Sequence, residues 1–204
     1  ISRNSSWASE GSMGKGLQRA KMVRQVTPAT VIDIGAAEGR WTAEAMEYWP
    51  EAEYVLFEPL KERKESLLNL GRKNKNVHVV NKAAGNCKGE IEFYVTTDLD
   101  GSGITDNGTG AELRKVGQAS VDEELEELKL KGPYLLKLDT HGYEVPIIEG
   151  AVNMLKDTQL VIIECYGFEI APNSLLFWDM CNYMLSKGFR LVDIVDVTLR
   201  SKDA

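Results

Sequence analysis

The sequence VIDIGAAEG at residues 31–39 decides the fold of this chain. An apolar run that carries one acid, Asp33, leads into Gly35 and Gly39, and a helical pattern begins directly afterwards. Glycine is favoured where the backbone takes a positive φ or must approach a ligand closely. A strand that turns into a helix in this way ends at the carboxyl edge of an open parallel sheet, where such folds bind ligands. The stretch therefore predicts a buried strand and a ligand site at its end.

The pattern on both sides of this stretch predicts a mostly parallel sheet flanked by helices, because short runs rich in Val, Ile and Leu alternate with segments of helical spacing. The run at 90–96 alternates apolar and polar residues and is expected at an edge or in a hairpin. The Gly-rich segment 97–120 is expected to be a working or mobile loop. The apolar stripe of the last helix, which includes Trp178 and Leu185, is expected in the core. Strands are predicted at 30–35, 53–58, 77–81, 90–96, 134–139, 160–166 and 189–195, and helices at 12–26, 39–48, 60–72, 121–130, 144–156 and 174–187.

The composition of the chain predicts a globular domain with neither a nucleic-acid nor a membrane partner. A chain of 204 residues can bury a full core without disulfides or metal. Its 24 basic and 31 acidic side chains leave a formal charge of −7, so no nucleic-acid partner is expected. Its three cysteines lack any CxxC pairing, which favours a reducing compartment, the cytoplasm. Its apolar runs are far shorter than the roughly 20 residues that span a bilayer, so no membrane partner is expected.

The spacing of the glycines distinguishes between two cofactors. The dinucleotide fingerprint G-x-G-x-x-G would need glycines where the sequence has Ala37 and Arg40. The D-x-G-x-x-x-G arrangement resembles instead the glycine-rich signature of class I methyltransferases that use S-adenosyl-L-methionine. Glu58, at the end of the next predicted strand, can accept hydrogen bonds from the ribose hydroxyls of either cofactor. S-adenosyl-L-methionine is therefore favoured, and an NAD(P)-dependent oxidoreductase stays open as an alternative.

The order of the motifs along the chain resembles the FkbM family of methyltransferases over about residues 28–195. The resemblance implies an α/β fold, a Rossmann-like three-layer sandwich with a mostly parallel central sheet. It also implies S-adenosyl-L-methionine as the cofactor and O-methylation of a hydroxyl on a sugar or other small-molecule natural product. The motifs that carry it are VIDIGAAEG, FEP at 57–59, NKAAGNCKGEIEFYV at 81–95, SVDEEL at 120–125, LLKLDTHGYEVPIIEGA at 135–151 and VIIEC at 161–165.

The sequence departs from the family pattern in two places. His141 stands where relatives commonly carry Glu or Gln, which bears on the acceptor or the base. The chain also ends soon after the predicted strand at 189–195, whereas the fold closes with one more antiparallel strand, so that strand is expected to be missing or the sheet edge unusual. A non-catalytic module that binds the cofactor therefore stays open as an interpretation. We predict a single methyltransferase domain over residues 1–204, with residues 1–27 as an N-terminal segment and helix that can serve as a lid and residues 28–204 as the Rossmann-like core.

Two predicted catalytic residues follow from the chemistry of methyl transfer, in which the protein must hold a nucleophile in line at about 3 Å and take its proton. Asp139 ends a strand at the same edge as Gly35 and is expected to face the transferred methyl or the methionine ammonium. His141 lies in the same turn, and an imidazole suits a general base at neutral pH. Helix capping by Asp139 and a loop imidazole bonded to backbone are the alternatives. Asp139 with Glu164 could also hold a divalent cation, but two carboxylates fall short of such a site and no metal is predicted.

The remaining cofactor contacts are predicted along the same sheet edge. The turn at 81–84 offers backbone groups and small side chains beside the adenine, and Trp41 is a candidate contact for the methionine end. Ser102 and Gly103, like Ser6 and Trp7, are candidates for a lid. A plain turn, a core anchor and a solvated linker are the respective alternatives. The predicted cofactor-binding residues are Asp33, Gly35, Ala36, Gly39, Trp41, Glu58, Pro59, Lys82, Ala83, Ser102 and Asp139.

Overall fold

The computed structural model describes residues 11–104 and 110–198, in which a parallel sheet is covered on both faces by helices. The strands are β1 (Thr30–Ile34), β2 (Glu53–Phe57), β3 (Val77–Val80), β4 (Ala83–Gly85), β5 (Gly89–Val95), β6 (Glu112–Ser120), β7 (Tyr134–Leu138) and β8 (Thr158–Ile163). The helices are α1 (Met13–Met22), α2 (Arg40–Tyr48), α3 (Lys61–Lys73), α4 (Val121–Leu128), α5 (Glu144–Glu149), α6 (Val152–Leu155) and α7 (Phe177–Ser186).

The central sheet has five parallel strands in the order β3-β2-β1-β7-β8, which confirms the predicted fold class. β1 lies in the middle, and all five of its residues are buried. Its Asp33 is in register with Leu56 of β2 on one side and with Lys137 of β7 on the other. Because parallel strands end at the same edge of a sheet, the residues that follow β1, β2, β7 and β8 meet there.

Alternate residues of the central strands fill two apolar cores, one on each face of the sheet. Helices α1, α2 and α3 cover the first face through Leu17, Ala45 and Leu67. Helices α4 to α7 cover the second face, with Ile147 and Met180 among the contacts. Each fully buried Leu, Ile or Val side chain stabilises the fold by about 1.5–3 kcal/mol. The runs of apolar residues in β1, β2 and β7 thus have a direct physical cause, since both of their faces are covered.

A second sheet of three strands, in the order β4-β6-β5, extends from the sandwich. β5 pairs antiparallel with β6, so the predicted hairpin character of residues 90–96 is confirmed. The prediction of a loop over 97–120 is wrong for Glu112–Ser120, which form β6. That strand is exposed over much of its length and carries several charges, and it therefore lacks the apolar pattern from which strands are predicted. The loop prediction fits residues 97–104.

The end of the described chain departs most from the sequence prediction. The strand predicted at 189–195 is not formed, and β8 is the edge of the five-stranded sheet in the described chain. The segment runs beside α1 instead, where the Asp193 carboxylate lies 2.8 Å from Arg19 Nε and the Val192 carbonyl accepts a bond from Arg24. Polar contacts hold this segment, while Leu191 and Ile194 are 56% and 52% exposed. This explains why its apolar composition misled the prediction.

Two of the predicted helices also differ in the structure. The helix predicted at 144–156 is divided into α5 and α6 at Gly150, where a Cβ would lie 2.0 Å from the Gly85 carbonyl oxygen. In α7 the prediction of a wholly buried stripe is wrong for Trp178 and Leu185, which are exposed. None of the helices in the described parts of the chain combines the length and the apolar character that a membrane crossing requires.

Candidate active site

A cavity of about 280 Å³ opens at the carboxyl edge of the five-stranded sheet, where the sequence predicted a ligand site. Its volume is close to the lower end of small-molecule pockets, about 300 Å³. The residues that follow β1, β2, β7 and β8 line it, together with part of the loop after β5. The predicted site residues that the cavity brings together are Gly35, Glu58, Pro59, Lys82, Ala83, Ser102, Asp139 and His141, with Ala84, Gly103 and Glu164 beside them.

Four of the predicted cofactor residues lie behind the cavity wall. Asp33 is fully buried, and Ala36 is 4% exposed within the core of the first face. Gly39 precedes α2 with a φ of +81°, and a Cβ there would meet a Leu70 methyl group at 2.9 Å. The ring of Trp41 also packs against that core. These residues shape the turn but do not line the cavity. The candidate lid residues Ser6 and Trp7 lie outside the described residues.

The glycine turn after β1 is in close contact with the ends of β2 and β7. Gly35 has a φ of +74°, and a Cβ on it would lie 2.1 Å from the Asp139 carbonyl oxygen. The N–H groups of Gly35 and Ala36 both donate to the Phe57 carbonyl, each at 3.1 Å. Only glycine allows this close approach in this conformation. The turn after β1 and the turn after β7 are therefore in direct backbone contact.

Glu58 is fixed by the backbone at the end of β2. Its Oε2 accepts a bond from the Ala37 N–H at 3.0 Å, and its Oε1 accepts one from the Leu60 N–H at 2.9 Å. Burial raises the pKa of Glu58, while those two N–H groups and the guanidinium of Arg63 act in the opposite direction. Each carboxylate oxygen keeps a second lone pair, so this cavity-lining group can still accept two hydrogen bonds from neighbouring hydroxyls.

The loop over the cavity is tied down by polar contacts. Arg63, a buried residue of α3, pairs with Asp100 of the loop. Ser102 Oγ accepts a bond from the Thr96 N–H at 3.0 Å, so this hydroxyl stabilises the loop itself. Lys82 lines the cavity but directs its ammonium to Glu124 of α4. The structure thus gives Ser102 and Lys82 structural contacts besides the predicted contact with a ligand.

Asp139, His141 and Glu164 form a cluster at the other end of the cavity. His141 Nε2 lies 3.7 Å from Asp139 Oδ1 and 3.5 Å from Glu164 Oε2. The hydroxyl of Tyr166 donates to Glu164 Oε2 at 2.5 Å. Burial alone would raise the pKa of Asp139, but the ammonium of Lys137 with other neighbours holds it below its usual range. Burial and the charge of Asp139 raise the pKa of Glu164.

The turn that carries His141 is rigid. His141 itself has a φ of +54°, a conformation that is uncommon for residues other than glycine. The buried carboxylate of Glu144 accepts bonds from the Thr140 hydroxyl at 3.0 Å and from the Gly142 N–H at 3.1 Å. These contacts hold the turn across the end of β7. Non-glycine residues in the left-handed region are found preferentially at functional sites.

The same cluster has the composition of a cation site. Asp139, His141 and Glu164 can each offer one ligand atom, and the three atoms lie within 4.8 Å of one another. However, Lys137 Nζ lies 3.3 Å from Asp139 Oδ2, so part of the negative charge is already offset. Three side-chain ligands also leave about half of an octahedral shell open. The arrangement suits proton transfer without a metal, and the absence of a metal stays a prediction.

Lys137 is the site residue that sequence reasoning missed. Its side chain is 8% exposed, and its ammonium lies 3.1 Å from Asp33 Oδ1. The signal was a lysine within the otherwise apolar run YLLKLD at 134–139. Lysine is almost never fully buried without a charged partner, so this residue pointed to an acid on a neighbouring strand.

The other histidine and the acidic helix do not belong to the site. His78 in β3 bonds to Glu53 at 2.7 Å near the opposite end of β2, as expected for a structural residue. In α4 three of the five acidic side chains are exposed, whereas Glu124 is buried against Lys82. Asp122 accepts bonds from two N–H groups at the start of α6. This helix therefore serves the packing of the fold.

The parallel sheet, its glycine turn and the cavity at its carboxyl edge define a Rossmann-like α/β domain with a ligand site at the strand ends. The family described as the methyltransferase FkbM domain matches residues 33–191, and the chain belongs to this family. No curated protein matches the sequence.

Two solved structures are similar to the chain at low sequence identity. A methyltransferase FkbM from Methylobacillus flagellatus KT is 18% identical, with a TM-score of 0.53 over 78% of this chain and 37% of that one. A putative O-methyltransferase from Nostoc punctiforme PCC 73102 is 14% identical, with a TM-score of 0.46 over 90% of this chain and 52% of that one. The present chain thus spans about a third to a half of the length of these proteins.

Proposed function

We propose that the chain is an S-adenosyl-L-methionine-dependent O-methyltransferase that acts on a hydroxyl of a sugar or other small-molecule natural product. One observation carries this proposal. A single cavity joins the backbone-fixed carboxylate of Glu58 at one end to the cluster of Asp139, His141 and Glu164 at the other. The first end has the acceptors that a ribose needs, and the second has the groups that remove a proton from a hydroxyl.

The residues of the cavity fit the cofactor. Glu58 would hold the ribose hydroxyls, and the small side chains of Ala83 and Ala84 leave room for a flat base beside them. Asp139 would face the methionine end, next to the Gly35 turn with which its backbone is in contact. When bound, S-adenosyl-L-methionine supplies an electrophilic methyl group, so the protein has to provide position and a base.

The base in this proposal is His141, with the two carboxylates as its support. A proton leaving the acceptor hydroxyl would go to Nε2, which lies 3.7 Å from Asp139 and 3.5 Å from Glu164. Both carboxylates would stabilise the imidazolium that forms, as a buried acid does in other acid–base pairs. The hydroxyl oxygen then keeps the electron pair with which it bonds to the methyl carbon.

The charges of the site bear on the acceptor. Asp139 and Glu164 flank the base, and both side chains are about 40% exposed towards the region where an acceptor would enter. Carboxylates accept hydrogen bonds from hydroxyls and repel phosphate or carboxylate groups. The two carboxylates therefore favour a neutral polyhydroxylated acceptor over nucleic acid. A cytoplasmic location is also part of the proposal.

Calorimetry with S-adenosylhomocysteine, followed by an acceptor panel, tests the proposal. We expect binding of this ligand and no stabilisation by NADH. Sugars, glycosides and hydroxylated polyketides are then incubated with S-adenosyl-L-methionine, and methylated products are identified by mass spectrometry. Binding without turnover on the whole panel would favour a non-catalytic module. Stabilisation by NADH alone would mean an oxidoreductase and would overturn the proposal.

A further inference from the structure

Lys137 is a buried charge that the proposed chemistry does not use. It lies next to the carboxyl end of β7, and its ammonium lies between the glycine turn and the Asp139 carboxylate. An ammonium has three donor hydrogens, and three oxygens surround this one. The Gly35 carbonyl lies at 3.0 Å, Asp33 Oδ1 at 3.1 Å and Asp139 Oδ2 at 3.3 Å.

These three oxygens come from different parts of the site. Asp33 belongs to β1, Gly35 to the turn after it and Asp139 to the end of β7. The ring of Trp41 lies 5.9 Å from the ammonium and limits its access to water. Lys137 therefore connects the turn that would hold the cofactor to the carboxylate that would support His141. A charge with partners on three sides cannot move without breaking at least one of these contacts.

We infer that Lys137 is a positioning residue for methyl transfer, which holds the Asp139 carboxylate against the Gly35 turn and thereby sets its place beside His141. The inference rests on the proposed function. A carboxylate with a cation on one oxygen presents its other oxygen in a different direction. Here Oδ2 faces Lys137, and Oδ1 faces His141 Nε2.

The competing explanation is that Lys137 only balances the buried charge of Asp33. The structure allows the two roles to be separated, because Asp33 and Asp139 are different partners of one ammonium. Asp33 has a second donor in the Thr42 hydroxyl, at 2.6 Å, and lies behind the cavity wall. Lys137→Met alone would leave Asp33 in the core without its counter-charge, and a failure of that variant to fold would have this cause and not the loss of positioning. Lys137→Met in the Asp33→Asn background removes both charges together and keeps the shapes of the side chains.

The experiment compares Asp33→Asn with Asp33→Asn/Lys137→Met. Loss of the Lys137 contact should lower turnover on an acceptor from the panel about 100-fold, the effect of misplacing a reacting group by about 1 Å. The affinity for S-adenosylhomocysteine should change by less than about threefold. In a titration followed by ¹³C NMR of labelled aspartate, Asp139 should lose its proton at a higher pH in the double variant. Lys88→Met, which removes an exposed lysine paired with Glu127, is the control for loss of a lysine.

Equal turnover and an equal Asp139 titration in the two variants would overturn the inference. The titration needs neither cofactor nor acceptor, so its result stands even if the proposed function fails. A wild-type chain that does not bind S-adenosylhomocysteine would overturn the proposed function alone. A double variant that loses turnover and cofactor affinity to the same extent would show that Lys137 supports the whole carboxyl edge of the sheet. That result would also overturn the positioning role.

Discussion

The two ends of the cavity are built in different ways. At the end with Glu58, backbone hydrogen bonds hold the site. The N–H groups of Ala37 and Leu60 fix the carboxylate, and the Gly35 turn donates to the carbonyl of Phe57 in β2. At the other end, side chains hold each other, as His141 lies between Asp139 and Glu164 and the latter bonds to Tyr166. Backbone contacts are insensitive to most substitutions, whereas side-chain contacts change with every residue.

Under the proposed function, this difference would allow one fold to keep the same cofactor and to change its acceptor. A rigid, backbone-held end can keep the same ligand while the side-chain end is altered. His141, where the resemblance implies Glu or Gln in relatives, lies at the side-chain end. The following predictions test whether the two ends respond as differently as their construction implies, beginning with the largest effect.

Asp139→Ala should abolish turnover while cofactor binding is largely kept. It removes the partner of His141 and of Lys137 at once, and loss of an acid–base group costs about 10²- to 10⁴-fold in rate. The affinity for S-adenosylhomocysteine should fall by less than about fivefold. Single-turnover kinetics and calorimetry measure the two quantities, and Asp179→Ala on the exposed side of α7 is the control. Equal losses in both would mean that Asp139 belongs to the cofactor end.

Gly35→Ala should destabilise the fold by about 2–4 kcal/mol, because the new Cβ would lie 2.1 Å from a backbone oxygen at a positive φ. The effect would be measured as the free energy of unfolding in urea. Gly89→Ala is the matched control, since a Cβ there meets nothing within 4 Å. A Gly35 variant as stable as the control would mean that the turns after β1 and β7 are not in contact.

The contrast between the two ends also explains what the sequence could predict. Gly35 and Glu58 follow apolar strands in a fixed order, and glycine spacing reports backbone conformation directly, so their places at this edge of the sheet could be predicted. Asp33 and Gly39, predicted beside them, lie behind the cavity wall. Lys137 was missed because its role depends on Asp33, more than 100 positions earlier, and on a strand pairing that periodicity does not reveal. β6 and the segment at 189–195 were mispredicted for a related reason. Their conformations depend on partners, β5 and α1, and their own composition points elsewhere.

Glu58→Gln should weaken binding of S-adenosylhomocysteine about tenfold, the cost of about 1.4 kcal/mol expected for one hydrogen bond to a charged group. An amide offers a single acceptor oxygen, so it cannot satisfy the N–H groups of both Ala37 and Leu60 as the carboxylate does. Calorimetry measures the change. Glu53→Gln, an acid at the other end of β2, is the control and should bind as wild type. Unchanged affinity in Glu58→Gln would mean that the cofactor does not bind at this end of the cavity.

Glu164→Gln should change stability least, and in a pH-dependent way. Because burial and Asp139 raise the pKa of Glu164, the folded state binds its proton more tightly than the unfolded state does. Wild type therefore loses stability as pH rises through the raised pKa, and a glutamine, which does not titrate, avoids this loss. The variant should be more stable than wild type at neutral pH by less than about 1 kcal/mol, since solvent screens a side chain that is 41% exposed. The advantage should vanish in acid. Urea unfolding across this pH range measures the difference. An advantage that grows as pH falls would mean that folding lowers the pKa of Glu164 instead of raising it.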